Sequence, residues 1–410
     1  MIYVHVPDNA ISAIATGVPV ASQLFQGFLV EGVGRASAAL LSLVSGLLTA
    51  VALSRGDAAP LYRRRFRSIV LPMLFWSTLT VALYALLSLA QPTFLSADGR
   101  SLPETVLFYA NAVLFLSDQP MGPTLHLGFL RDLFVCILLA PLMIAGLRRV
   151  GASVPLAFGA LYLLDAESVV ILRPLVPFAF SIGLWLALGG RRLDALDAAW
   201  PLWVVLSVLA TLAVMLSGTD AALASGPARW FAARGLDLRE TLFYPASRLF
   251  GALAIWTLAA TLVRSRWSVR LERLSPYVFV AFCSHFLVLT VLWEALVRPL
   301  VGASDTPGYT VWFASAPFVA MAAAIVIVAS VSRTAPSLAA LLTGGRVREA
   351  RVPSRSTPLG GRSVPASRAR PGADAATVDG GAPSRGPQRR RRDRSTPEGA
   401  VLETTASGER

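Results

Sequence analysis

Residues 310–332 read TVWFASAPFVAMAAAIVIVASVS, a stretch without a single charge. As a helix rising about 1.5 Å per residue, such a run covers the ~30 Å hydrocarbon thickness of a bilayer. A helix also satisfies its own backbone groups where no water can. Working back from this stretch, eight more apolar runs lie at about 36–54, 68–90, 127–147, 152–164, 174–189, 199–218, 246–263 and 276–297. Composition agrees: of 410 residues 55% are hydrophobic and 15% charged, with a mean hydropathy of +0.61, where soluble proteins carry roughly 25% charged residues. The chain therefore reads as an all-α, polytopic membrane bundle. A soluble enzyme and a secreted disulfide scaffold are both excluded. Cys136 and Cys283 each lie inside an apolar run and form neither a disulfide framework nor a metal-ligand spacing.

The net charge of +13 suggests nucleic acid until it is divided along the chain. Residues 333–410 hold 15 Arg and 7 acids, and residues 1–332 hold 22 Arg and 17 acids; with all 37 basic residues accounted for, there is no lysine. Alternate connections differ in the same way. The set 55–67, 148–151, 190–198 and 264–275 carries 13 Arg and 4 acids, against 7 Arg and 11 acids in 8–35, 91–123, 165–173, 219–245 and 298–309. Arginine-rich loops stay on the cytoplasmic side, which puts the first set and the tail after 332 inside. Anionic lipid headgroups account for the excess better than DNA does, so membrane lipids are expected partners and nucleic acid is not. Residues 333–410, rich in Pro, Gly, Ser, Thr and Arg and containing Arg389-Arg390-Arg391-Arg392, are expected to form a disordered basic tail beside a membrane domain of 1–332. The segment 104–116 is apolar but too short to span, and reads as an amphipathic helix on the outer face. The opening Met1-Ile-Tyr-Val-His5-Val-Pro7 looks like the outer end of one further span, giving about ten in all with the first truncated.

Ionisable side chains cost at least ~2.5 kcal/mol at mid-span, so those that persist there are functional candidates. They are His5, His285, Arg131, Asp132, Arg248 and Glu294. All but His5 have a plainer alternative. Arg131-Asp132 also suits a structural ion pair, Arg248 and Glu294 lie near a boundary where long side chains snorkel, and His285 is as well suited to a helix–helix hydrogen bond as to chemistry. None of the three histidines pairs at metal-ligand spacing, so no metal site is expected. The segment Arg63-Arg64-Arg65-Phe66-Arg67 reads either as an orienting charge or as a phosphate clamp, because guanidinium forks bind phosphate bidentately. No Gly-x-Ser-x-Gly elbow, Walker loop or dinucleotide fingerprint is present.

Five ordered motifs resemble the integral-membrane acyltransferase 3 family, which includes polysaccharide O-acetyltransferases and glucan succinyltransferases. Met1-Ile-Tyr-Val-His5 is similar to the end of the family's first helix, which carries a critical histidine. The stretch from Arg35 through Ser45-Gly46-Leu47 resembles its second helix, with Leu47 at a usually aromatic position. Arg64-Arg-Phe-Arg67 resembles its Arg-x-x-Arg segment. His126-Leu-Gly-Phe-Leu-Arg131-Asp132-Leu resembles the family's Leu-Trp-Phe-Leu-Arg-Asp-Leu stretch, with Gly128 in place of Trp. Leu274-Ser-Pro-Tyr-Val-Phe-Val-Ala-Phe-Cys-Ser-His285 is similar to a later segment ending in Leu-His.

The resemblance implies transfer of an acyl group, acetyl or succinyl, from cytoplasmic acyl-CoA to a hydroxyl of a surface polysaccharide or glycolipid. It implies a multi-pass protein of the bacterial inner membrane with a cytoplasmic C-terminus. Acyl-CoA is the donor substrate, and no other cofactor is expected. His5 takes the position of the catalytic base or nucleophile. Arg64 and Arg67 would hold the CoA phosphates, while Arg35, Arg131, Asp132 and His285 would line or support the cavity. The family also places an arginine ten intervening residues before its helix-one histidine, a position that would precede Met1. The expectation is therefore an earlier start or a member that has lost activity. A transporter or flippase is the other reading compatible with many spans and few buried charges, although no inverted repeat is visible.

Overall fold

The computed structural model describes residues 1–7, 21–90, 102–116, 122–164, 173–190, 194–217, 226–233, 237–302 and 306–346. Among these the chain is helical and contains no strand. The principal helices are α1 (Ala21–Ser54), α2 (Ala58–Leu86), α3 (Leu102–Leu114), α4 (Thr124–Val150), α5 (Ser153–Leu163), α6 (Leu175–Leu188), α7 (Trp200–Leu216), α8 (Arg239–Val263), α9 (Ser268–Val301), α10 (Pro307–Thr334) and α11 (Pro336–Leu342). Each of the nine apolar runs falls on one of them. Six (α1, α2, α4, α8, α9 and α10) are long and apolar enough to cross a membrane. The other three runs, on α5, α6 and α7, give shorter apolar helices; α5, at 11 residues, spans only about 16 Å. Residues 2–5 make one 3-10 turn rather than a span, so length alone does not reach ten.

Several boundaries drawn from charge move. Residues 21–35, counted as connection, are helical and continue into the apolar run through a π-helical turn at Phe28–Gly34. The arginine segment 63–67 is also helical, running from Ala58–Arg65 through a second π-helical turn into α2. Arginine is a good helix former and needs no apolar neighbours in water, so hydropathy ends where the helix does not. Residues 102–114 are helical as expected, but the end of α3 is packed inward. Ala112 and Phe115 are fully buried, and the Thr124 hydroxyl donates to the Ala112 carbonyl at 2.6 Å. At the other end, the boundary expected at 332 falls inside α10. The packed chain continues through α11, whose Ala339 and Leu342 are buried, to Arg346.

α1 and α6 approach more closely than any side chain would allow. A methyl group added at Gly46 would fall on the Phe180 carbonyl oxygen, and one added at Gly183 on that of Leu43. Small residues Ser42, Gly46 and Ala50 line the buried face of α1, the usual way for helices to pack in lipid, where dispersion replaces the hydrophobic drive. The largest core lies around α4, α6 and α9, with Ile137, Phe180 and Val280 fully buried. The N-terminal turn rests against this frame. Tyr3 stacks on Phe313 of α10, the Tyr309 hydroxyl donates to the Pro7 carbonyl at 2.5 Å, and Val4 sits over Gly34 of α1.

Candidate active site

The chain's three histidines, 121 and 159 positions apart along the sequence, meet in one cluster. Ring centroids are 5.6 Å apart for His5 and His126, 5.4 Å for His5 and His285, and 4.7 Å for His126 and His285. His126 and His285 are fully buried, whereas His5 is half-buried. The His126 Nε2–H donates to the Cys283 carbonyl at 3.1 Å, and the His285 Nδ1–H to the Phe282 carbonyl at 2.6 Å. A carbonyl can only accept, so each bond fixes the proton on that nitrogen. In the neutral rings this leaves lone pairs on His126 Nδ1 and His285 Nε2. Both atoms are buried without a partner among the described residues. Phe286 stacks on His126 at 5.8 Å and lies 5.9 Å from His5, and Tyr84 of α2 stacks behind it. The result is a set of imidazoles held by aromatic walls, two of them carrying an unengaged basic nitrogen.

Charged groups border this cluster. Asp132, fully buried, bonds Arg131 Nη1 at 2.8 Å through one oxygen and accepts the Arg173 backbone N–H at 2.9 Å through the other. Arg173 in turn donates from Nη2 to the carbonyl of Leu125, the residue before His126, at 2.7 Å. Arg131 and Asp132 are therefore a structural pair, and that pair anchors the turn carrying His126. Arg35 follows Gly34, under Val4, and pairs with buried Glu31 at 3.0 Å. Its guanidinium lies 5.7 Å from the Tyr244 ring, which Arg239 and Arg248 also approach at 5.2 and 5.4 Å. Arg248 bonds the Tyr162 hydroxyl at 3.1 Å, and Glu294 forms an i,i+4 pair with Arg298 at 3.0 Å.

A separate cleft of about 580 Å³ lies at the start of α2, lined among the described residues by Arg63, Arg64, Arg65, Arg67 and Arg346. Two routes relate it to the histidines. Phe66 packs on Phe134 of α4, and from Phe134 to His126 is eight residues, roughly 12 Å of helix rise. Arg346 lies over Phe279 of α9, six residues or roughly 9 Å of rise from His285. Cleft and imidazoles are thus neighbours but distinct.

Of the residues singled out in the sequence, His5 and His285 come together, Arg35, Arg131 and Asp132 flank them, and Arg64 and Arg67 line the separate cleft. Sequence reasoning passed over two residues. His126 opens the 126–132 motif and is one of only three histidines, a signal that was available. Arg173 acts partly through a backbone N–H and left no sequence signal. Among the described residues no three His, Cys, Asp or Glu side chains are arranged to hold a metal ion.

A family model described as an acyltransferase domain matches residues 1–333. The chain belongs to the acyltransferase 3 family. The match covers both the histidine cluster and the Arg64–Arg67 segment of the cleft. The chain is also 29% identical over 359 residues to "Succinoglycan biosynthesis protein ExoH" of Rhizobium meliloti (strain 1021), covering 86% of this chain and 90% of that protein. No solved structure matches.

Proposed function

We propose that this acyltransferase moves an acetyl or succinyl group from cytoplasmic acyl-CoA to a hydroxyl of a surface polysaccharide or its lipid-linked precursor. The observation that carries the reading is the meeting of His5, His126 and His285, three residues of an acyltransferase chain with no other histidine. The polysaccharide acceptor is supported by the relative's name, which assigns it to succinoglycan biosynthesis. The donor and its side are supported by the arginine-lined cleft and by the arginine bias of the connections at that end.

In this reading the donor's phosphates lie in the cleft with Arg64 and Arg67, and its thioester reaches the imidazoles. His5, the least buried of the three, takes the acceptor's hydroxyl proton as that oxygen attacks the thioester carbonyl. The carbon–sulfur bond breaks, and the imidazolium returns the proton to the leaving sulfur, giving ester and free CoA. His126 and His285 hold the ring of His5 and lend basic nitrogens behind it. Arg131, Asp132 and Arg35 position the walls. The protein would sit in a bacterial inner membrane with the cleft facing the cytoplasm.

The test is His5→Ala in cells, with acetyl and succinyl esters on surface glycan measured beside membrane insertion. Loss of ester at unchanged insertion is expected; unchanged ester content would defeat the assignment. Uptake of labelled glycan precursor by vesicles lacking acyl-CoA would instead favour a transporter or flippase.

A further inference from the structure

Two of the long helices depart from regular winding close to where they meet. α1 passes through the π-helical turn at Phe28–Gly34, and α8 begins with another at Arg239–Phe243. Such turns are uncommon and gather at functional sites. The Ser247 hydroxyl of α8 donates to the Glu31 carbonyl of α1 at 3.2 Å. Beside this junction three guanidiniums converge on one ring. Those of Arg35, Arg239 and Arg248 lie 5.7, 5.2 and 5.4 Å from the centre of Tyr244, and all four residues are half-buried. Two acids accompany them. Glu31 is buried and pairs with Arg35, while Glu240, next to Arg239 in the chain, is exposed to water that screens its charge. Three cations around one partly open ring favour an incoming anion, and guanidinium forks match the oxygens of a phosphate.

An apolar groove of about 590 Å³ adjoins this cluster, lined by Gly32 of α1, by Trp200 and Val204 of α7, and by Gly251, Leu258 and Thr261 of α8. Gly32 follows Glu31 in the chain, and Gly251 stands one helical turn beyond Arg248. An added Cβ at Gly251 would press on the Gly32 carbonyl, so cluster and groove meet where α1 and α8 touch. Length then chooses the occupant. From Tyr244 to Thr261 is seventeen residues, roughly 26 Å of helix rise. That is most of the ~30 Å hydrocarbon thickness, whereas a phospholipid chain fills one leaflet, about half of it. A headgroup held at Tyr244 therefore needs a longer tail to reach the far end of the groove. The cluster also borders the imidazoles. Arg35 follows Gly34, on which Val4 rests, and Val4 precedes His5.

We propose that Arg35, Arg239, Arg248 and Tyr244 bind the diphosphate of a polyprenyl-linked glycan whose hydrocarbon chain lies in the groove along α7 and α8. The inference rests on the acyltransferase reading above and commits its acceptor to the lipid-linked form. The sugars nearest the diphosphate would then begin beside His5.

The experiment uses the full chain in detergent micelles, with binding followed by native mass spectrometry. The probes are undecaprenyl diphosphate, undecaprenol, farnesyl diphosphate and dioleoylphosphatidylglycerol. The wild type should prefer undecaprenyl diphosphate to the other three, which lack in turn the charge, the chain length and both the diphosphate and the polyprenyl chain. Arg239→Ala should weaken that binding about tenfold, the scale of one charge-assisted hydrogen bond. It should leave undecaprenol binding unchanged, which a disturbed fold would not. Ala254→Phe, which narrows the groove, should also weaken undecaprenyl diphosphate binding about tenfold. Equal binding of dioleoylphosphatidylglycerol would make the groove an ordinary phospholipid seat and overturn the proposal. Unchanged affinity in either variant would overturn it as well. Binding is read without acyl transfer, so the two readings fail separately. Wild-type ester content in His5→Ala defeats the acyltransferase reading, whereas loss of probe preference at normal ester content defeats only the lipid-linked acceptor.

Discussion

The close crossing of α1 and α6 makes a sharp prediction. At Gly46 of α1 and Gly183 of α6 the two backbones face each other so nearly that each alanine methyl would land on the opposite helix's carbonyl oxygen. Neither obstacle is a flexible side-chain end, so the helices themselves must part by about 1.4 Å to reach an ordinary contact near 3.5 Å. Overpacking of this kind costs typically about 1–3 kcal/mol. The upper part of that range applies here, which shifts the folded fraction by about a hundredfold. Because separating the helices for one methyl already makes room for the other, Gly46→Ala and Gly183→Ala together should cost little more than either alone. A double-mutant cycle should therefore return a coupling energy of about 2 kcal/mol. The assay is unfolding in mixed micelles of rising SDS fraction, followed by tryptophan fluorescence. Gly56→Ala, where an added methyl meets nothing within 4 Å, is the control. If Gly46→Ala melts like Gly56→Ala, or if the two substitutions add in full, the close crossing is not what holds α1 to α6.

Other predictions concern the site. His126→Phe keeps a ring beside Phe286 but removes both nitrogens, and should lower acylation about 100-fold or more with unchanged melting; wild-type turnover would remove His126 from the chemistry. Asp132→Ala leaves the Arg173 N–H and the Arg131 guanidinium without their carboxylate and should cost about 3 kcal/mol, read as a lower yield of folded protein, with Asp132→Asn intermediate. A wild-type yield of the alanine variant would show that the pair is not structural. The double substitution Arg64→Ala with Arg67→Ala should raise KM for acyl-CoA at least tenfold with a smaller effect on kcat. An unchanged KM would return that segment to a purely orienting charge.

Much of the fold was legible because lipid imposes a single local solution. Each of the nine apolar runs became a helix, since no other arrangement satisfies the backbone of a single apolar segment there. The ends were less legible. Residues 58–67 are helical although polar, because helix propensity extends beyond the apolar run. Residues 21–35, which mix Gln23, Gln26, Glu31 and Arg35 with apolar side chains, continue the helix of the run that follows. α11 was missed because the composition after residue 333, taken as a whole, cannot bury a core. Among the described residues, 336–346 nevertheless pack against α2 rather than on each other.

By itself, the sequence determined that the chain is a helical membrane bundle, that its family is the acyltransferases, and that His5 is its first catalytic candidate. It did so because period, charge bias and short motifs are local properties. Which residues meet His5 is not local. Only packing brings His126 from the start of α4 and His285 from the middle of α9 to within 4.7 Å, measured between ring centroids. Only the glycine turn at 344–345 returns Arg346 to the cleft. Those meetings are fixed by close contacts such as that between Gly46 and Gly183, whose distances depend on the shape of a partner helix far away in the chain.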